Sequence, residues 1–170
     1  MDYDLNLKSS TIEVIEELFS EPVKYEMDKE SGAMFVDRFI QTAMFYPCNY
    51  GFIPHTLAND GDPIDVLVVS HYPVMPGCVI KSRPIGVLIM EDESGLDEKI
   101  LAVPITKLDV SFEAIKDLDD LCPMLKQRIK HFFEHYKALE KGKWVKIQGW
   151  ENAQKAESLI NEGIARITSK

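Results

Sequence analysis

At 170 residues, 45% of them hydrophobic and 28% charged, with no repeat or low-complexity stretch, the chain fits a single domain over residues 1–170 that buries a core without disulfide staples. A formal net charge of −9 argues against nucleic acid as a partner, because affinity for a phosphate backbone comes mainly from clustered Lys and Arg. The acidic start Met1-Asp2-Tyr3-Asp4 lacks the features of a secretory signal, and no apolar stretch approaches the roughly 20 residues of a membrane span. Cys48, Cys78 and Cys122 are too widely spaced for a disulfide framework or zinc site, so a cytoplasmic protein is expected.

From Val23 to about Val110 the sequence reads as short strands separated by turns: residues 35–39, 66–70, 79–80, 85–89 and 100–103. Residues 42–56, with two prolines and a glycine amid aromatics, read as a structured loop that offers tyrosine hydroxyls. The acidic stretch 92–99 reads as a hairpin tip. After Asp119-Asp120 the period becomes helical, with Leu125, Ile129, Phe132, Tyr136 and Leu139 on one stripe, Asp120 as cap, Pro123 in the first turn and Gly142 as stop. A second amphipathic helix is expected over about 152–167, with Ala153, Ala156, Leu159, Ile160, Ile164 and Ile167 near one face. The class is α+β, mainly β: a barrel or sandwich followed by two helices.

The chemistry concentrates in Asp60-Gly61-Asp62-Pro63-Ile64-Asp65, placed directly before the apolar run Val66-Leu67-Val68-Val69. Like charges beside a low-dielectric strand repel, and an all-oxygen donor set suits Mg²⁺, which keeps waters for a phosphate ligand. An acidic turn ahead of a strand is the plain alternative. A helix-loop-helix calcium site is excluded by spacing, since positions six and twelve counted from Asp60 are Asp65 and His71 rather than Gly and Glu. If residues 92–99 form a hairpin, Asp92 and Asp97 return to the same mouth, and five aspartates there suit several metal ions in phosphoryl transfer. Lys24, Arg38, Lys99 and Lys137 are candidate phosphate clamps, each with the alternative of a solvated surface charge or, for Lys137, a helix-end cation. His131 and His135, one helical turn apart, suit a transition metal or a subunit interface. An acidic protein that takes a phosphate anion must also bind cations.

Taken in order, Lys24-Tyr25-Glu26, Phe35-Val36-Asp37-Arg38, Tyr46-Pro47-Cys48-Asn49-Tyr50-Gly51, Asp60-Gly61-Asp62-Pro63-Ile64-Asp65-Val66, the 92–99 stretch and His131-Phe132-Phe133-Glu134-His135-Tyr136-Lys137 resemble the soluble family I inorganic pyrophosphatases of the short bacterial type, over about residues 23–155. The resemblance implies a closed five-stranded β-barrel like the oligonucleotide-binding (OB) barrel, flanked by two helices. It implies Mg²⁺-dependent hydrolysis of pyrophosphate to two orthophosphates by in-line attack of a metal-activated water. Mg²⁺ ligands would be Asp60, Asp65, Asp92 and Asp97, and Asp62 the catalytic base. Substrate would be held by Lys24, Arg38, Tyr50, Lys99, Tyr136 and Lys137, with Glu26, Tyr46 and Glu93 in supporting positions. The family usually has Glu-x-Pro shortly before Lys-Tyr-Glu; here, within residues 14–22, Glu16 fits that glutamate, as a supporting residue, only if one residue is deleted nearby, and the usual proline is missing. Bacterial members are usually homohexamers, with His131 and His135 at subunit contacts. A binding module on an OB-like barrel and a phosphatase acting on nucleotides or esters are the competing classes.

Overall fold

The computed structural model describes residues 10–168; the acidic Met1-Asp2-Tyr3-Asp4 segment lies outside them. Strands β1 (Thr11–Glu17), β4 (Asn49–Ile53), β5 (Ile64–Val68), β7 (Gly95–Pro104) and β6 (Val79–Asp92) pair in that order, and β6 pairs back onto β1. The five strands therefore form a ring, which is the OB-like barrel that the sequence implies. The departure from the family pattern near Glu16 does not open it, because β1 pairs antiparallel with β4 on one edge and with β6 on the other. A sixth strand, β8 (Val145–Asn152), extends the sheet from β6, and β2 (Val23–Met27) with β3 (Met34–Phe39) forms a separate hairpin. Two helices, α1 (Pro123–His135) and α2 (Ala153–Thr168), flank the barrel, and two single-turn 3₁₀ helices, Val110–Phe112 and Leu118–Asp120, precede α1.

The barrel strands are apolar runs because both of their faces are covered. Leu67, Leu88, Met90 and Leu101 pack against Ile129, Phe132 and Phe133 of α1, whereas Val66, Val68, Val87 and Ile100 pack with Ala156, Leu159 and Ile160 of α2. Gly51 is required where β1 crosses β4: a Cβ there would lie 1.9 Å from the Val14 carbonyl oxygen. Asn49, fully buried, fixes the start of β4 by accepting from the Phe19 and Val74 amides and donating to Ser70 Oγ and the Tyr72 carbonyl.

Several expectations shift. Residues 42–56 are not loop throughout, since Asn49–Ile53 is a central strand whose partners lie elsewhere in the chain. The expected strands 79–80 and 85–89 are one, running through Pro84 by a register shift between Pro84 and Gly86. The acidic tip is only the two-residue turn Glu93-Ser94, so Asp97 and Lys99 stand on β7. Asp120 does not cap α1: its carboxylate accepts from the Lys116 and Asp117 amides, and Cys122 occupies the cap position with no side-chain hydrogen bond. The helix ends at His135 rather than near Gly142, and Leu139 is exposed in the turns that follow. Strands β1, β2 and β8 have no counterpart among the expected elements.

Candidate active site

The acidic loop is built from both ends. Thr56 Oγ1 accepts from the Ile64 amide and donates to the Ile53 carbonyl, tying the end of β4 to the start of β5. Helix α2 pins the loop from outside: the Leu57 amide donates to the Gly163 carbonyl, and Arg166 donates to the Leu57 carbonyl. Within the loop, Gly61 at φ +95° makes the turn, the Asp62 amide donates to Asp60 Oδ1 at 3.0 Å, and the Ala58 amide donates to the Asp62 carbonyl at 2.7 Å. Asp60 and Asp62 are thereby held at an exposed rim, and Asp65 follows on β5 facing inward.

Parallel pairing of β5 with β7 sets Asp65 opposite Lys99. Lys99, 4% exposed, donates to Asp65 Oδ2 at 2.5 Å and Tyr50 Oη at 3.0 Å, and pairs with Asp97 Oδ1 at 2.9 Å. Burial alone would lower its pKa, but the two carboxylates override that and raise it, so the ammonium stays charged. Burial raises the Asp97 carboxyl, with Lys99 opposing and Asp65 reinforcing the shift. Burial also raises the phenols of Tyr46, Tyr50 and Tyr136, which remain neutral hydrogen-bonding groups.

The turns after α1 carry Tyr136 and Lys137 to the same mouth, where Lys137 Nζ donates to Asp92 Oδ2 at 2.9 Å. Lys143 binds Glu93 at 2.5 Å; burial would raise that carboxyl, but the hydrogen bond from Lys143, backbone amides and the charge of Lys137 together outweigh it and hold Glu93 at about 2. On the β2–β3 hairpin Lys24 pairs in register with Arg38, and Asp37 sits between them, 3.1 Å from Lys24 Nζ and 2.8 Å from Arg38 Nε. Arg38 Nη1 also donates to Glu140 Oε2 at 2.8 Å. Glu16 accepts from the Met27 amide at 2.8 Å, joining β1 to β2.

These groups line one basin of about 450 Å³. Every residue singled out from the sequence as catalytic, metal-holding, substrate-binding or supporting is in its wall, from Glu16 on β1 to Lys137 after α1. His131 and His135 are not; their rings lie 4.6 Å apart on the exposed face of α1. A shallow depression of about 530 Å³ between Asp117, Lys126 and Trp150 is larger but brings no comparable set of groups together. Sequence reasoning missed Glu17, Lys29, Glu140 and Lys143, which also line the basin. Only Glu17 left a trace, as the second of two consecutive glutamates.

The lining holds ten carboxylates against six cationic side chains. That excess, all in oxygen donors, fits hard divalent cations. Both carboxylate oxygens of Glu17, 1% exposed, lack a hydrogen-bond partner among the described residues, and burial raises this carboxyl well above its ordinary range. Among the described residues no three acidic groups already stand as a closed ligand shell; Lys99 lies between Asp65 and Asp97 instead. An ion that keeps several waters needs no closed protein shell.

The family model described as inorganic pyrophosphatase matches residues 11–168. The chain belongs to the inorganic pyrophosphatase family. It is 75% identical over 149 residues to the inorganic pyrophosphatase of Rickettsia conorii, covering 88% of this chain and 86% of that one. Against the inorganic pyrophosphatase of Escherichia coli the identity is 61% over 151 residues, covering 89% and 86%. The crystal structure of inorganic pyrophosphatase from Thermus thermophilus superposes with a TM-score of 0.94 at 44% identity, covering 99% of this chain and 97% of that one. Membership implies a divalent metal cofactor. Among the described residues no helix is long and apolar enough to cross a membrane.

Proposed function

We infer that this chain is an inorganic pyrophosphatase of one domain, a hydrolase that splits pyrophosphate into two orthophosphates with Mg²⁺ as its metal. The observation that carries the reading is the single basin in which Asp60, Asp62, Asp65, Asp92 and Asp97 face Lys24, Arg38, Lys99 and Lys137. Asp60, Asp65, Asp92 and Asp97 would hold the metal. When bound, it supplies neutralisation of phosphate charge and acidification of water.

The residues then divide the work. Asp62, whose amide and carbonyl are both fixed by the loop, offers its carboxylate at the rim as the acceptor for the proton of the attacking water. Lys24 and Arg38 hold one end of the substrate from the hairpin, and Arg38 presents a planar fork oriented by Asp37 and Glu140. Lys99 and Tyr50, on adjoining sides of the barrel floor, with Tyr136 and Lys137 from the turns after α1, neutralise the leaving phosphate. Glu16, Glu26, Tyr46 and Glu93 support these groups: Glu16 bonds β2, and Glu93 anchors Lys143.

Free cysteines support a reducing cytoplasm. The exposed Phe35, Phe39 and Phe45 beside the β2–β3 hairpin support self-association, read as a homohexamer with His131 and His135 at contacts. The test of activity is phosphate release from pyrophosphate with and without Mg²⁺, followed by chelation, beside ATP and p-nitrophenyl phosphate. Mg²⁺-dependent release confined to pyrophosphate supports the reading. Equal release from ATP or p-nitrophenyl phosphate, or none from pyrophosphate at any Mg²⁺ concentration, overturns it.

A further inference from the structure

In a regular strand consecutive side chains point to opposite faces, so Glu16 and Glu17 should not both reach one cavity. They do, because the register of β1 against β4 slips: Ile15 pairs with Gly51 and Glu17 pairs with the adjacent Tyr50, leaving Glu16 as an extra residue. Such a bulge re-aims side chains, and here it turns both carboxylates into the basin wall.

Glu17 is the odd member of the site. The other buried or half-buried carboxylates have partners: Asp65 and Asp97 have Lys99, Asp92 has Lys137, Glu93 has Lys143, and Glu16 has the Met27 amide. Glu17 is 1% exposed and has none among the described residues; the Tyr25 amide lies near enough to favour its charge but completes no hydrogen bond of ordinary geometry. The cation that acts on Glu17 through space, Lys24, is already held by Asp37. A buried carboxylate without partner destabilises a fold unless it takes a proton or a cation joins it. The lining is short of positive charge by four, so a cation that displaces the proton of Glu17 comes from solution.

We propose that Glu17 is a further oxygen donor for the divalent ion on the Asp65 side of the basin, positioning that ion and strengthening its binding. This rests on the metal-dependent reading of the site. It adds a residue to which the family resemblance assigns no role.

The test is calorimetric titration of Mg²⁺ into the chelator-treated full chain, wild type against Glu17→Gln and Glu17→Ile, with thermal melting at zero and saturating Mg²⁺. Both substitutions should weaken the tightest Mg²⁺ site at least about tenfold, shrink the rise in melting temperature that Mg²⁺ produces, and leave the metal-free protein as stable as wild type or more so. Glu17→Ile serves the same purpose should Glu17→Gln fold poorly. Affinities within twofold of wild type, with only the melting temperature changed, would overturn the proposal and make Glu17 a packing residue. Absence of Mg²⁺ binding by the wild type would overturn the metal reading of the whole site as well.

Discussion

Glu13 on β1 permits a sharp test of how the barrel closes. It is fully buried at the β1–β6 seam, where it pairs with Ile80 and receives a hydrogen bond from the Thr11 hydroxyl, while its Oε2 has no partner among the described residues. Burial pushes its carboxyl from 4.5 up to about 7, with the hydroxyls of Thr11 and Ser82 pulling weakly the other way. A tenfold gain in proton affinity is worth about 1.4 kcal/mol, so folding favours the protonated carboxyl by about 3 kcal/mol. The sign follows from proton uptake. The folded chain binds this proton more tightly than the unfolded chain, so the stability it confers is complete below pH 4.5 and is lost as pH rises through 7. Glu13→Gln keeps the shape and cannot ionise. Urea unfolding of both proteins between about pH 5 and 8 should show wild type losing about 2 to 3 kcal/mol relative to the variant, with equal m-values. Curves that stay parallel across that range would refute the assignment of a buried, strained carboxyl to the seam.

Asp62→Asn should fold normally and lose about a hundredfold or more in kcat, as removal of a positioned proton acceptor does, and near-normal turnover would remove Asp62 from that role. Arg38→Lys loses the fork that Asp37 and Glu140 orient, so KM for pyrophosphate should rise about tenfold with melting nearly unchanged; an unaltered KM would place the phosphate elsewhere. Gly51→Ala brings a Cβ into the Val14 carbonyl and should destabilise by about 3 kcal/mol or more, read from the urea midpoint. A wild-type midpoint in that variant would mean that β1 and β4 do not cross as closely as described.

Local sequence carried a large part of this protein. The order of the acidic, basic and aromatic blocks, through the family they resemble, named fifteen residues of the basin wall but not Glu17, Lys29, Glu140 or Lys143, because a site of many fixed charges needs particular side chains at particular places. Helix α2 was legible within a residue at each end, because one apolar stripe at helical spacing packs on one surface. Strands β1, β2, β4 and β8 were not legible. Three of them carry charges or aromatics that break a period of two, and β4 hides between prolines, so only their partners across the sheet make them strands. Tertiary structure also decided which charges pair. Parallel registration of β5 with β7 put Lys99 between Asp65 and Asp97, the hairpin brought Lys24 to Asp37, and the turns after α1 brought Glu140 to Arg38. It alone turned Glu17 inward, because a bulge depends on how two strands register and not on the residues of either strand read alone.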